Sequence, residues 1–362
     1  VSYILAIETA VPEFKHFQKD IIAFYQNATD DESTKRKIKI IGEKAAINTR
    51  YSVLEDFSKR ESDFSFFPKN RFLIPEPTLN QRMALFKKHA LSLSLKAIKK
   101  INGFETLKDT ITHIITVTCT GLYAPGLDIE IIRELGLNTS TQRSSINFMG
   151  CNAAVLALKQ ADLICKNTPN SNVLIVCTEL STLHFQTDFS DDYLLSTSLF
   201  GDGCAVMIVS SESLDVKNYP KVKIDSFHSS ILHKGQSDMT WNISDKGFIL
   251  NLSSYVSELI NDNIKTMIEA LPITSSNINY WAIHPGGKKI IDDFAKAMNL
   301  SKEDLKASYT ILKNYGNMSS PTVLFVLKEL IDTTNSNKSG ESILAAAFGP
   351  GLSIETMLLK YV

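Results

Sequence analysis

An α/β protein made of two repeated halves is predicted for this 362-residue chain, on three observations. Short Val/Ile-rich runs alternate with stretches of helical period along most of the sequence. The length exceeds what one hydrophobic core usually serves, so two core units or one double-layered unit are expected. The third observation is a pattern that returns. Gly150-Cys151-Asn152-Ala153-Ala154, then Val155-Leu156, resembles Gly316-Asn317-Met318-Ser319-Ser320, followed by Val323-Leu324. A buried run ends at Cys119-Thr120-Gly121 thirty-two residues before Cys151, and another ends at His284-Pro285-Gly286-Gly287 thirty-three before Asn317. The halves are drawn as 1–215 and 216–362, divided within the polar stretch 211–222. They set Cys151 and Asn317 at equivalent helix starts, and Cys119 and His284 at equivalent strand ends. Packing about a pseudo-twofold axis would let those loops converge.

In chain order, residues 1–10 read as a strand, and Phe17 to Tyr25 has helical spacing. Residues 31–50 are polar and basic (Lys35, Arg36, Lys37, Lys39, Lys44, Arg50), predicting a helix and loop with a solvated face. Residues 56–80, rich in Phe, Pro and Asn, predict an irregular surface excursion. From Gln81 to Ile101 apolar residues recur at the helical period. His113–Thr118 is a buried strand, and Gly126 to Leu135 a helix. The run ending at Gly150 predicts a strand, a tight turn, and a helix whose first residue is Cys151. Asn172–Cys177 and Ala205–Val209 are strands with a polar stretch, 181–198, between them. The second half is predicted as a strand near 221–229, a helix from Leu252 to about Ala270, a strand Tyr280–Ile283, and helices near 287–298 and 319–332. Strands Ser342–Ala346 and Ile354–Leu359 turn through Gly349-Pro350-Gly351.

The composition excludes several function classes. With 38 basic and 39 acidic residues and a net charge of −1, there is no broad surface for nucleic acid or an anionic membrane. The N-terminal apolar run lacks a basic lead and is too short for a signal peptide, and no segment approaches a membrane span. Five scattered cysteines (Cys119, Cys151, Cys165, Cys177, Cys204), without a Cys-x-x-Cys pair, point to reduced thiols in a cytoplasmic protein, with no zinc site.

A lone Cys among small residues is more often a buried structural thiol. At a helix start, however, unpaired N–H groups and the positive dipole end favour the thiolate. His284 before Pro-Gly-Gly and Asn317 in a Gly-Asn turn are each ambiguous alone. Together with Cys151 they make a nucleophile, a base and an amide donor. A thiolate beside an imidazolium is an activated nucleophile. His284 and Asn317 can donate hydrogen bonds to a thioester carbonyl gaining negative charge. The set fits thioester acyl transfer with carbon–carbon bond formation.

The chain resembles the type III polyketide synthases, the chalcone synthase-like branch of the thiolase-fold family, and its bacterial-type members in particular. The motifs are Gly150-Cys151, Leu199-Phe200-Gly201-Asp202-Gly203, Trp281-Ala282-Ile283-His284-Pro285-Gly286-Gly287, Tyr315-Gly316-Asn317-Met318-Ser319-Ser320 and Phe348-Gly349-Pro350-Gly351-Leu352. The resemblance is weakest over about 1–80. It implies a thiolase-like αβαβα layering of two halves, with catalytic Cys151, His284 and Asn317. It implies iterative decarboxylative condensation of malonyl-CoA onto an acyl-CoA starter held on Cys151, then cyclisation. It also implies a homodimer and no metal or tightly bound cofactor, CoA thioesters being substrates. Substrate-binding positions by resemblance are Phe200 (an aromatic gatekeeper), Cys119, Thr120, His184, Trp241, Leu250, Gly286, Gly287 and Pro350. The segment Lys44 to Arg50 falls where the family binds CoA phosphates.

The chain departs from the family at several of these positions. Leu250 stands for a second gatekeeper Phe, unless Phe248 substitutes for it. Ala124 stands for a Met that in plant enzymes reaches into the partner subunit's cavity. Cys119, His184 and Trp241 occupy positions usually small or hydroxylic, and Ala347 begins the terminal motif in place of Gly. These sizes predict an aliphatic starter, two or three extensions and a pyrone, resorcinol or phloroglucinol-type product. Three alternatives use related residues. A cysteine protease lacks its Cys-Gly-Ser-Cys-Trp signature here. A priming β-ketoacyl synthase would need an acyl carrier protein, and a non-catalytic scaffold would show no acyl-CoA turnover.

Overall fold

The computed structural model describes residues 1–214, 216, 219–253, 255–269, 278–333 and 339–362. The N-terminal half opens with β1 (Ser2–Ala10). Two short strands, β2 (Phe14–Phe17) and β3 (Thr49–Ser52), pair antiparallel around α1 (Gln18–Asn27) and α2 (Glu32–Lys44). There follow α3 (Leu79–Ile98), α4 (Phe104–Leu107), β4 (His113–Thr118), α5 (Leu127–Leu135), β5 (Gln142–Asn147), α6 (Ala153–Asn167), β6 (Asn172–Leu180), α7 (Asp191–Leu199) and β7 (Asp202–Ser210). The C-terminal half begins with β8 (Val222–Ile231) and a hairpin of β9 (Met239–Ile243) and β10 (Phe248–Leu252). It continues with α8 (Val256–Glu269), β11 (Tyr280–Ile283), α9 (Lys288–Met298), α10 (Lys306–Tyr315), α11 (Thr322–Thr333), β12 (Ser342–Gly349) and β13 (Ser353–Tyr361).

The sheet topology carries the duplication. Nine strands run in the order β11-β12-β13-β8-β1-β7-β6-β4-β5. In the first half β1 pairs β7 and β7 pairs β6 antiparallel, then β6 pairs β4 parallel. In the second, β8 pairs β13 and β13 pairs β12 antiparallel, then β12 pairs β11 parallel. The two sequences of pairings are the same. Where the halves meet, the equivalent strands β1 and β8 pair antiparallel, as a local twofold requires. Of the 215/216 boundary, residue 215 lies outside the described residues.

Side-chain alternation sorts the layers. On β6, Val173, Ile175 and Cys177 face one cluster with α6 and α11, whereas Leu174 and Val176 face another with α1 and α3. On β12, Ile343, Ala345 and Ala347 join the first cluster, whereas Leu344, Ala346 and Phe348 join a third with α8 and α9. Thus α6 and α11 form a middle layer between two halves of the sheet, giving the αβαβα order. Ala153, Ala154, Ala157 and Ala161 are fully buried on α6, and Val323, Leu324, Val326 and Leu327 on α11.

Several local expectations change. The helix near the nucleophile starts at Ala153, with Asn152 as its N-cap, so Cys151 sits in the preceding turn and is not its first residue. The polar stretch 181–198 contains α7, whose Ser and Asp content hides Tyr193, Leu194 and Leu199 packed inward. The second-half helix begins at Val256, because Leu252 closes β10; Ala270 lies outside the described residues. The β9–β10 hairpin and α10 have no counterpart in the sequence reading. The hairpin strands are only five residues each, and α10 is rich in Ser, Thr, Tyr and Asn.

Candidate active site

Cys151, His284 and Asn317 line one cavity, together with Ser319, Phe200 and Met239. Each is delivered by a chain reversal next to the middle layer. Gly150 takes a left-handed φ of +83° and seats Cys151 at the mouth of α6. His284 follows β11, its N–H donating to the Ala346 carbonyl at 2.8 Å on β12. Asn317 precedes α11, and its N–H donates to the Leu199 carbonyl at 2.9 Å while Gly201 N–H donates to the Asn317 carbonyl at 2.9 Å. That pairing ties Phe200 to the Asn317 turn.

The Cys151 sulfur lies 3.9 Å from both Oδ1 and Nδ2 of Asn317 and 3.6 Å from Ser319 Oγ. Ser319 N–H donates to Asn317 Oδ1 at 2.8 Å, so Oδ1 is engaged. The amide N–H₂ is thereby turned to the Gly286 carbonyl, 3.4 Å away, and to the cavity. His284 is 1 % exposed, and neither ring nitrogen has a hydrogen-bond partner among the described residues. A buried imidazole with both nitrogens open is a group kept for a ligand. Burial pushes the Cys151 thiol up to about 11, against hydrogen bonds from Ser319 and Asn317 that lower it, and burial holds His284 down at about 3. Burial thus works against the charged form of each group.

A second set of contacts fixes the turns. Glu179 Oε2 accepts from Cys119 N–H at 2.9 Å, Thr120 Oγ1–H at 2.7 Å and Thr118 Oγ1–H at 3.2 Å, and Oε1 accepts from Ser320 Oγ–H at 2.6 Å. It thus fastens the loop after β4 to the Asn317 turn. Burial raises its carboxyl to about 7 against those same bonds. Gly150 N–H donates to Cys119 Sγ at 3.1 Å.

The other sequence-selected residues divide. Cys119, Thr120, Phe200, Trp241, Leu250, Gly286 and Pro350 line the nucleophile's cavity. Gly287 does not; it lines an adjoining cleft that shares Leu252, Gly286 and Ile290 with that cavity. Lys44, Lys288 and Lys289 border this cleft. Arg50 is a correction: it is 3 % exposed on β3, donating to Gln18 Oε1 at 2.9 Å and to the carbonyls of Thr197 and Phe200 at 2.7 and 2.6 Å. It braces the Phe200 turn and does not reach the lysine-bordered cleft.

His184 lines a neighbouring cavity and not that of the nucleophile. Nε2–H donates to the Thr120 carbonyl at 2.8 Å and Nδ1 accepts from Phe248 N–H at 3.1 Å, so the ring is spent on structure. Burial holds it neutral, down at about 3. Phe248 stacks on it at 4.2 Å and does not line the nucleophile's cavity, whereas Leu250 does. Sequence reasoning missed Ser319, Ser181, Met239 and Lys289. Ser319 lay inside a quoted motif; the others carry no local signal.

Residues 1–213 match the model for chalcone and stilbene synthases, N-terminal domain, and 223–362 the model for the C-terminal domain. The chain belongs to the chalcone and stilbene synthase family. It is a type III polyketide synthase, an acyltransferase-type enzyme. It is 31 % identical to the alpha-pyrone synthesis polyketide synthase-like Pks18 of Mycobacterium tuberculosis, over 100 % of this chain and 92 % of that protein. Among solved structures it is similar to PKS-I from the brown alga Ectocarpus siliculosus, with a TM-score of 0.89 and 26 % identity over 100 % of this chain and 98 % of that one. It is equally similar in fold to the C-terminal type III domain of Steely1, a type I/III hybrid from Dictyostelium, with a TM-score of 0.89 and 28 % identity over 100 % and 99 %. Among the described residues no helix of this synthase is long and apolar enough to cross a membrane, and no group of three His, Cys, Asp or Glu stands where a metal ion could bind.

Proposed function

We propose that this synthase loads an aliphatic acyl group from CoA onto Cys151 and extends it with malonyl-CoA through His284 and Asn317, without a resident cofactor. The observation that carries the reading is the open imidazole of His284 in one cavity with the Cys151 thiol and an amide whose carbonyl oxygen is already engaged. Neutral His284 takes the thiol proton as sulfur attacks the starter thioester; the bond to CoA sulfur breaks, and CoA leaves with that proton. Malonyl-CoA then places its thioester oxygen between a His284 N–H and Asn317 Nδ2. As CO₂ departs, the charge on that oxygen is held by these two donors, whose hydrogen bonds strengthen as it develops. The enolate carbon attacks the acyl thioester and displaces Cys151.

The lysine-bordered cleft is the entry. Lys44 with Lys288 and Lys289 offers cations for CoA phosphates, and the last two begin α9, where the helix dipole adds to them. The product is a small pyrone, resorcinol or phloroglucinol-type ring, made after two or three extensions. The synthase works in the cytoplasm, in keeping with five unpaired cysteines. It acts as a homodimer: β5 is a sheet edge, and exposed Leu122, Ile129 and Met149 belong to the neighbouring loops and helix. Mass spectrometry of products from malonyl-CoA with a panel of acyl-CoA starters tests the chemistry. Products lengthened by two-carbon units support it; no product from CoA thioesters, with turnover of carrier-protein-bound malonate, would replace it with a priming ketoacyl synthase.

A further inference from the structure

One face of the β9–β10 hairpin is a wall of the nucleophile's cavity. Trp241 stands opposite Leu250 and Met239 opposite Leu252, and all four line that cavity. Among the described residues the hairpin pairs with no other strand. Two strands alone are marginally stable, so its seat comes from side chains and loops around it. Along β10, Phe248 N–H donates to His184 Nδ1 at 3.1 Å, and Gln186 Nε2–H donates to the Phe248 carbonyl at 3.2 Å. Ser196 Oγ–H donates to the Leu250 carbonyl at 3.3 Å. At the hairpin tip, Leu79 N–H donates to the Asp245 carbonyl at 3.0 Å, and Lys246 Nζ donates to Glu76 Oε1 at 3.3 Å.

Arg82, near the start of α3, grips both sides of this seam. It is fully buried. Its Nε–H donates to the Pro77 carbonyl at 3.1 Å and to the carbonyl of Lys246 at the hairpin tip. Its Nη1 donates to the Leu183 carbonyl and, at 2.8 Å, to that of Phe185. The last two residues flank His184, on which β10 leans. A guanidinium taken from water and held by carbonyls is costly to bury. Burial brings it down only to about 10, so it stays charged at neutral pH. Its planar fork of N–H groups reaches three chain segments at once, which a lysine ammonium cannot do. The fit is close: a Cβ on Gly247 would meet Arg82 Nε at 3.1 Å, its Cδ at 3.2 Å and Gln186 Nε2 at 3.3 Å. Yet Arg82 lines neither the cavity of Cys151, nor that of His184, nor the lysine-bordered cleft. Resting on the polyketide synthase reading above, we propose that Arg82 is a positioning residue for chain length. It sets how far the hairpin wall stands from Cys151, and so how many malonyl units the cavity admits before the chain cyclises.

The test reads chain length apart from stability. Loading of Cys151 by hexanoyl-CoA is followed by intact-protein mass, products with malonyl-CoA by mass spectrometry, and folding by melting curves. Arg82→Lys keeps the charge and gives up the fork. Gly247→Ala keeps every Arg82 donor and lifts the hairpin tip with one methyl group. Each is expected to leave the loading rate within about twofold of the parent and to raise the share of ketides one malonyl unit longer about tenfold. Phe104→Leu is the control for lost stability: Phe104 is buried on α4, lines none of these cavities, and its variant should keep the parental product ratio. Parental ratios in both hairpin variants, or an equal shift in the control, overturn the positioning role and leave the synthase reading standing. If Arg82→Lys does not fold, Gly247→Ala decides alone by the same ratio. No loading and no product from any CoA thioester in the parent overturns both.

Discussion

Gly150→Ala is the substitution whose cost the structure sets most directly. Gly150 has φ +83°, and a Cβ there would meet Pro350 Cδ at 2.0 Å and Cγ at 2.9 Å. The left-handed backbone costs an L-residue about 1–2 kcal/mol. Forcing a methyl against a proline ring that cannot rotate away adds about 1–3 kcal/mol. The sum is about 2–5 kcal/mol, and relaxation must move either the Gly349-Pro350 turn or Cys151 itself. A displacement near 1 Å at the reacting sulfur lowers kcat about a hundredfold. Gly136→Ala is the control: φ is +64° at the end of α5, but nothing lies within 4 Å of its Cβ. It should lose only the backbone part, about 1–2 kcal/mol, and keep its activity. Urea unfolding of both variants, with product formation from malonyl-CoA, measures the difference. If Gly150→Ala falls within about 0.5 kcal/mol of Gly136→Ala and keeps kcat within about threefold, the Pro350 contact does not position the nucleophile.

Four other outcomes follow from the same geometry. Cys151→Ala should abolish starter loading and condensation while a slow malonyl-CoA decarboxylation through His284 and Asn317 persists, read as acetyl-CoA release; persistent loading of the variant would show that sulfur is not the acyl carrier. Because burial raises the Cys151 thiol to about 11, the reactive thiolate is scarce at neutral pH and grows as pH rises. Alkylation of Cys151 by iodoacetamide, followed by peptide mass, should therefore climb about tenfold per unit from pH 7 to 9, and a plateau already reached below pH 7 would indicate a resting thiolate–imidazolium pair. Arg50→Met strips hydrogen bonds from Gln18 and from the Thr197 and Phe200 carbonyls, and should cost about 3 kcal/mol of stability and lower kcat. Lys44→Ala should instead raise KM for acyl-CoA with stability unchanged; the reverse pattern in steady-state kinetics would restore Arg50 to the CoA site.

The sequence alone determined the α/β class, the two halves and the three residues that meet at the centre. Each of those rests on short-range or repeated information: alternating apolar runs, and two Gly-centred turns at matched distances from strand ends. The motif at 315–320 even contained Ser319, which lies 3.6 Å from Cys151. Tertiary structure alone decided what each remaining residue faces. Arg50 reads as one more cation in a basic stretch, yet pairing of Thr49–Ser52 with Phe14–Phe17 turns it inward beneath Phe200. His184 reads as a cavity group, yet the loop after β4 and the β9–β10 hairpin claim both its nitrogens. The ionisation of Cys151 shows the limit most plainly: a helix start is written in the residues around it, whereas desolvation depends on how completely the second half covers the first. That covering comes from residues more than a hundred positions away, Asn317 and Ser319 among them.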